Sequence, residues 1–237
     1  MATVAHESTL SDRIARVRRS LIEAAQRANR RVDEITLVAV SKTHRAAAIE
    51  AAIAEGLTDF GENRVQEAET KLPSVGRDAA RWHLIGHLQS NKARRAVELF
   101  DVIHSLDSVA LARRLDRICE EIGRESLPVL IQVDLGHEAT KTGADESSLS
   151  EIVEVVGNCD RLKLTGLMTV PPFFDEAERV RPYFRRLREL RDQLQADGAF
   201  ENRLGELSMG MTHDFEIAIA EGATMVRVGT AIFGERN

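Results

Sequence analysis

The chain has 237 residues and a formal net charge of −6, with acidic and basic side chains interspersed, so it fits one α/β barrel or two small domains. That charge argues against non-specific nucleic-acid binding, which needs a basic face. The sequence has no apolar run long enough for a membrane span and no signal-peptide pattern at its N-terminus. Its two cysteines, Cys119 and Cys159, form no C-x-x-C pair, which favours a reducing, cytoplasmic compartment.

The first half of the chain alternates helical and apolar segments. Apolar residues at helical spacing predict an N-terminal helix over 10–29. Short apolar runs then predict strands at 36–41, 58–61, 82–86 and 101–105. Helices are predicted at 46–55, 65–72 and 92–99, and we expect Gly56 and Pro73 to end the first two.

The second half continues the same alternation. We expect Asp107 to cap a helix through 111–122. Strands are predicted at 128–134, 161–167, 206–209 and 225–228, and helices at 149–156, 176–195 and 215–220. The run 128–134 is apolar almost throughout, which is typical of a strand covered on both faces. Residues from 231 onward suffice for one helical turn only.

This order of elements predicts the fold class. Eight strands, each but the last followed by a helix-sized segment, favour a closed (β/α)8 TIM barrel over an open doubly wound sheet. No linker or low-complexity tract divides the chain. We therefore predict a single domain over 1–237, with a helical extension at 1–34 and the barrel at 35–234. The helix at the front is expected to supply the outer element missing after the last strand.

Chemically active side chains follow the predicted strands at their carboxyl ends, where barrels of this kind place their sites. Lys42 follows the first strand, where partial loss of hydration would lower its pKa and free the amine to form a Schiff base. A solvated loop lysine is the alternative. Glycines and hydroxyls after the last two strands predict phosphate-binding loops, with tight turns as the alternative: Ser208, Gly210, Thr212, Gly229 and Thr230. A helix starting near Thr212 is expected to add its dipole.

Arg227 interrupts the last apolar run, and strand alternation places it on the face opposite to its two valine neighbours. Inside the barrel it would need an acceptor, such as a heterocyclic nitrogen or an acidic residue; outside, it would pair with a flanking helix. His83 and His87 are four residues apart but lie along a strand, which favours core or mouth-lining roles over zinc binding. We predict no metal site. Four further histidines are expected near the barrel mouth: His44, His104, His137 and His213.

Six motifs occur in order along the chain: VAVSKT (38–43), FGENRVQE (60–67), WHLIGHLQSNK (82–92), GLMT (166–169), LSMGM (207–211) and VRVGTAIFG (226–234). Together they resemble the pyridoxal phosphate homeostasis family, also called proline synthetase co-transcribed proteins, from about 35 to 234. The resemblance implies a single barrel like the N-terminal domain of alanine racemase, with pyridoxal 5′-phosphate bound at its mouth.

The resemblance also implies roles for individual residues. Lys42 matches the Schiff-base lysine, and Arg227 matches an arginine that faces the pyridine nitrogen. The phosphate loops match Ser208, the backbone of Met209, Gly210 and Met211, and Gly229 with Thr230. Asn63 and Met168 fall in motifs that line the cofactor pocket. The chain departs from the family at Arg64, often aromatic, and at Thr212, often serine, which keeps a hydroxyl.

Pyridoxal phosphate would satisfy both halves of the predicted site, because it carries an aldehyde and an anionic tail. Alanine racemases take a second acid/base, a tyrosine, from a further domain, whereas Tyr183, the one tyrosine here, is predicted in an outer helix. We therefore predict a cytoplasmic, monomeric protein that binds pyridoxal phosphate and serves vitamin B6 and amino-acid homeostasis without robust turnover, and so no catalytic residue. Pyridoxal-phosphate-dependent apo-enzymes are candidate partners. The alternatives are a racemase using His87, His104 or water as second base, and a Schiff-base aldolase acting on a sugar phosphate.

Overall fold

The strands of the chain form a closed parallel barrel. A computed structural model describes residues 8–136, 142–200 and 203–235, and over these residues eight strands pair in chain order, with the first closing against the eighth. The barrel prediction is confirmed. The strands are β1 (Thr36–Val40), β2 (Asp59–Glu62), β3 (Arg81–Leu84), β4 (Val102–Leu106), β5 (Leu127–Gln132), β6 (Leu162–Met168), β7 (Glu206–Met211) and β8 (Met225–Val228).

The helices form the outer layer around this sheet. In the described part of the chain they are α1 (Leu10–Arg27), α2 (Ala46–Ala54), α3 (Val65–Val75), α4 (Ala93–Leu99), α5 (Val109–Ile122), α6 (Leu149–Gly157), α7 (Arg181–Ala196), α8 (Phe215–Ala220) and α9 (Thr230–Phe233). None of these helices has both the length and the apolar character needed to cross a bilayer. The short α9 agrees with the expectation of a single turn after β8.

The N-terminal helix α1 packs against α8 and α9. Thr9 and Asp12 form a reciprocal capping box at its start, which satisfies amide donors that would otherwise lack partners. Its buried side chains lie at helical spacing and include Ile14, Val17 and Leu21, so one apolar stripe faces the barrel. The expectation that α1 completes the outer layer beside the short last helix is confirmed.

The apolar side chains divide into two clusters. The large one lies between the sheet and the helices, as expected for strands covered on both faces. A separate small cluster joins Val102, Leu130 and Met168. Val102 shares its strand face with His104, because alternate residues point the same way. The barrel interior therefore contains polar side chains as well as apolar ones.

The residue predicted to end α3 and the residue predicted to cap α5 are both wrong. Pro73 does not end α3, which continues to Val75 and stops at Gly76, whose φ is 97°. A proline removes only one backbone donor near the end of a helix, whereas the left-handed conformation of Gly76 turns the chain away. Asp107 does not cap α5; Ser108 does, its hydroxyl accepting from the Leu111 amide at 3.4 Å. The cap lies one residue later because β4 extends to Leu106.

Candidate functional site

A cavity of about 330 Å³ opens at the carboxyl ends of the strands. Apolar side chains line part of its wall, and the exposed ring of Phe173 lies at its rim. The polar lining comes from the loops after β1, β2, β7 and β8, and from β8 itself: Lys42, His44, Asn63, Thr212, His213, Asp214, Arg227, Gly229 and Thr230. This is the end of the barrel where the sequence predicts chemistry.

Lys42 lies half-buried in this cavity, directly after β1. The backbone on each side of it is held by acidic and basic side chains. The Ser41 carbonyl accepts from Lys71 Nζ at 2.9 Å, and the Thr43 amide donates to Glu67 Oε2 at 2.7 Å. Thr43 has a φ of 68°, a left-handed conformation that is strained for a β-branched residue. The loop that carries Lys42 is thus fixed from outside the cavity.

The groups that hold this loop form what we call the Lys71 cluster: Ser41, Glu62, Glu67 and Lys71. Lys71 Nζ lies 2.8 Å from Glu62 Oε1 and 3.2 Å from Glu67 Oε2. The Ser41 hydroxyl also donates to Glu62 Oε1, at 2.7 Å. Burial raises the pKa of Glu62, although the cation of Lys71 opposes this. Lys71 comes from α3, so the cluster lies between the sheet and the helix layer.

Arg227 points into the barrel and is only 3% exposed. This is the inward orientation, one of the two that the sequence left open. Its guanidinium donates to Ser208 Oγ at 2.7 Å and to the Thr169 carbonyl at 2.8 Å. These acceptors, a hydroxyl and a carbonyl, differ from the heterocycle or acid expected. Burial lowers the pKa of Arg227 to about 10, so the side chain remains a cation at neutral pH.

Below Arg227, a line of side chains continues across the barrel interior, buried except for the partly exposed Asp59 at its end. We call the whole set the Arg227 chain: Asp59, His83, His104, Ser208 and Arg227. His104 Nδ1 lies 2.9 Å from Ser208 Oγ, and its Nε2 lies 2.8 Å from His83 Nδ1. His83 Nε2 lies 2.9 Å from Asp59 Oδ1. Burial lowers the pKa of both histidines, and that of His104 is lowered well below its ordinary value.

The histidine predictions have mixed outcomes. His83 is a core residue, as favoured, and among the described residues no cluster of three or more His, Cys, Asp or Glu side chains could hold a metal ion. His44 and His213 line the cavity. His104 was expected at the mouth but is buried in the interior, because it belongs to the middle of β4. His87 is exposed and pairs with Asp107 at 3.4 Å, while His137 lies outside the described residues.

The loop after β7 has a different geometry from the one predicted. α8 begins at Phe215, which confirms the prediction of a helix over 215–220 and shows that the other expectation, a helix start near Thr212, is wrong. Asp214 Oδ1 accepts from the Met211 amide at 2.6 Å, so a carboxylate takes up that backbone donor. Burial raises the pKa of Asp214, with the Met211 amide and Arg227 opposing it. Gly210 has a φ of +92°, and a Cβ there would lie 2.5 Å from the Ala218 Cβ, so the turn requires glycine.

The cavity brings together six of the ten predicted site residues: Lys42, Asn63, Thr212, Arg227, Gly229 and Thr230. The other four do not line it. Met168, Ser208, Met209 and Gly210 are buried in β6 and β7, and the Ser208 hydroxyl is engaged by Arg227 and His104. Strand alternation explains this, because a residue inside a strand points into the interior or towards the helices. Arg64 is exposed and also lies away from the cavity lining.

Sequence reasoning missed three features of this site. Phe173 at the rim follows β6 by several residues and has no strand-end signal. Lys71 and Glu67 belong to an amphipathic helix, where charged residues usually lie in solvent. Their spacing of four residues was the available signal, because it places both side chains on one face of the helix.

A larger groove of about 560 Å³ lies at the amino ends of β6 and β7. Its charged lining mixes both signs, with Arg161, Lys163 and Arg203 beside Asp160 and Glu206. Catalytic and binding groups of such barrels collect at the opposite end. Its volume alone therefore does not make it the better candidate, and the cavity beside Lys42 is the candidate site.

Comparisons with known proteins agree with the barrel fold described above. A family model described as the alanine racemase N-terminal domain matches residues 18–237. The chain is 43% identical over 227 residues to the pyridoxal phosphate homeostasis protein of Aquifex aeolicus, covering 95% of this chain and 97% of that protein. It is 41% identical over 235 residues to the protein of the same name from Escherichia coli K12, covering 96% and 97%.

Solved structures give the same picture. PipY of Synechococcus elongatus, determined with pyridoxal phosphate bound, is 43% identical and superposes with a TM-score of 0.83 over 95% of this chain and 100% of that chain. Alanine racemase of Corynebacterium glutamicum is 23% identical, with a TM-score of 0.67 over 94% of this chain and 60% of that chain. The second likeness shows the fold alone.

Proposed function

The chain belongs to the pyridoxal phosphate homeostasis protein family, and from that premise we propose that it binds pyridoxal 5′-phosphate in the cavity beside Lys42. The observation that carries the proposal is the shared lining: an amine, two hydroxyl-bearing loops and a buried guanidinium face one space of about 330 Å³. Pockets for ligands of this size begin at roughly that volume. The PipY structure with the cofactor bound supports the same assignment.

The donor set fits the cofactor group by group. Bound pyridoxal phosphate supplies an aldehyde for covalent linkage to an amine and a phosphate that seeks hydrogen-bond donors. Lys42 is the amine, and Thr212, Thr230 and the Gly229 backbone are the donors that reach the cavity. Arg227 holds a positive charge on the remaining side, which disfavours protonation of a nearby ring nitrogen. The side chain of Asn63 adds a polar group to the cavity lining.

The four predicted residues outside the cavity receive supporting roles in this proposal. Gly210 permits the turn that leads out of β7, Met209 packs in the large apolar cluster, and Met168 packs in the small interior cluster. Ser208 orients Arg227 rather than contacting the cofactor directly. The barrel and α1 act as one unit in this account, because α1 packs on α8 and on α9, and α9 begins at Thr230.

We propose a homeostatic role without robust turnover, as the names of the relatives indicate. Racemisation needs proton transfer on both faces of the α-carbon. The ring of Tyr183 stacks on Phe174 at 5.9 Å, away from the cavity lining. His104 and His87, the alternative second bases, also lie outside it. These placements disfavour the racemase alternative.

Solvent deuterium exchange at the α-carbon of a panel of amino acids separates these functions. We expect cofactor-dependent colour in the purified protein, loss of that colour in Lys42→Ala, and exchange no faster than with free cofactor. Rapid exchange that disappears in Lys42→Ala would establish the racemase instead. A colourless protein that borohydride traps only with a sugar phosphate would establish the aldolase.

The remaining proposals concern the cellular compartment, the oligomeric state and the partners of the protein. We propose a cytoplasmic monomer that releases its cofactor to pyridoxal-phosphate-dependent apo-enzymes. Cys119 and Cys159 are both free thiols, which supports a reducing compartment. Light scattering tests the monomer. Activation of an apo-enzyme by the loaded protein, at a rate above that given by an equal amount of free cofactor, tests the transfer.

A further inference from the structure

The Arg227 chain crosses the barrel interior from a strand's amino end to the cavity. Asp59 is the first residue of β2, at the amino end of the barrel, and Arg227 lines the cavity at the other end. Between them, His83, His104 and Ser208 are fully buried. Each neighbouring pair lies between 2.7 and 2.9 Å apart.

The donors and acceptors available fix the direction of the hydrogen bonds along the Arg227 chain. A guanidinium can only donate, so Ser208 Oγ accepts from Arg227 and its own proton goes to His104 Nδ1. Neutral His104 then carries its proton on Nε2 and donates to His83 Nδ1. His83 carries its proton on Nε2 and donates to Asp59. When both histidines are neutral, each link of the Arg227 chain joins one donor to one acceptor.

The opposite arrangement leaves a group unsatisfied. A doubly protonated His83 would force His104 to donate to Ser208, and the serine proton would then have no acceptor among the described residues. It would also add a second cation to the buried interior that already holds Arg227, where charge is costly. Burial disfavours the Asp59 carboxylate, but hydrogen bonds from His83 and Thr58 more than offset this and lower its pKa. The last hydrogen bond of the Arg227 chain is therefore donated by His83 to an anionic carboxylate, that of Asp59.

We propose that Asp59, His83, His104 and Ser208 are positioning residues that orient the Arg227 guanidinium towards the ring side of the bound cofactor. The inference rests on the proposed function only for the identity of that ligand. Hydrogen bonds that all point one way polarise one another, so a change at Asp59 alters the orientation of Arg227 through three intervening groups. The amino end of the barrel thereby influences the cofactor site.

The first test uses nitrogen-15 NMR on the protein without cofactor. We expect both His83 and His104 to be neutral with the proton on Nε2, and the Arg227 Nη signals to be separate because the guanidinium is held. A proton on His104 Nδ1, or a charged imidazole, would overturn the proposed direction. Because no cofactor is present, this result stands even if pyridoxal phosphate does not bind.

The second test changes Asp59, the member of the Arg227 chain that lies farthest from the cavity. In Asp59→Asn the amide oxygen still accepts from His83, so we expect unchanged histidine tautomers and a dissociation constant for pyridoxal phosphate within about twofold of the unmodified protein. In Asp59→Leu the acceptor is lost, and we expect mixed tautomers, merged Arg227 Nη signals and about tenfold weaker binding.

Leu130→Ala is the matched control, because it disturbs the small interior cluster and its register partner, Gly166, is not a member of the Arg227 chain. It should lower stability while leaving the Arg227 signals and the dissociation constant unchanged. Unchanged signals and affinity in a folded Asp59→Leu protein would show that the chain does not position Arg227. Absence of binding in the unmodified protein would instead reject the proposed function.

Discussion

Lys42 and Arg227, two basic side chains of the cavity, are supported by networks of opposite character. The Lys71 cluster holds the Lys42 loop from the helix layer and contains one buried cation between two carboxylates. The Arg227 chain holds its guanidinium from inside the barrel through neutral groups. The cluster works by charge pairing, whereas the chain works by the direction of its hydrogen bonds. The two networks should therefore respond differently to mutation and to pH.

The largest expected effect comes from removing the cation of the Lys71 cluster. Lys71→Met leaves Glu62 and Glu67 without their shared partner, and we expect a loss of about 3–5 kcal/mol in the free energy of unfolding, measured by urea denaturation. The double variant Lys71→Met with Glu62→Gln removes the uncompensated buried charge and should recover part of this loss. A loss below about 1 kcal/mol in the single variant would contradict the assigned charge pairing.

The second prediction concerns Gly210 near the end of β7, a residue that belongs to neither network. Gly210→Ala adds a Cβ 2.5 Å from Ala218 to a residue with φ of +92°, and we expect a loss of about 2 kcal/mol or more. Gly123→Ala is the control, because its φ is +70° but nothing lies within 4 Å. It should cost only about 1 kcal/mol. Equal losses in thermal denaturation would show that the close packing is unimportant.

The third prediction tests the neutrality of the Arg227 chain by pH. Unfolded histidines gain protons as the pH falls through about 6.5, whereas burial keeps the pKa of His83 and His104 lower in the folded protein. The stability from these neutral histidines is therefore present above that pH and is lost below it, at up to about 1.4 kcal/mol per pH unit for each.

Urea denaturation between about pH 7.5 and 5.5 measures this slope. His104→Gln removes one titrating group, so the slope attributable to the chain should be roughly halved relative to the unmodified protein. An unchanged slope would show that His104 is charged in the folded state. That result would contradict the direction of the hydrogen bonds.

The extent to which sequence predicted these features follows from the distances between the residues along the chain. Continuous apolar runs predicted strands, and β8 and α8 have the expected bounds. Lys42 and Thr230 were found because each lies in the short segment that begins where a strand ends. The Arg227 chain joins five residues from five strands, and a histidine inside one apolar run gives no sign of its partner in another. The two histidines become neighbours only through the pairing of β3 with β4 in the barrel.

The smallest effect is expected at Arg64, where the family often has an aromatic residue. Arg64 is exposed and belongs to neither network nor the cavity lining. Arg64→Tyr should therefore change the dissociation constant for pyridoxal phosphate by less than about twofold. Fluorescence titration measures this. A larger change would extend the site beyond the cavity described.

The central claim is that Lys42 is the amine that holds the cofactor. The most direct measurement incubates the protein with pyridoxal phosphate, reduces it with borohydride and locates the added mass by peptide mass spectrometry. We expect the mass on the peptide containing Lys42, and none in a folded Lys42→Ala protein. Addition at another lysine, or no addition to the folded unmodified protein, would contradict the account.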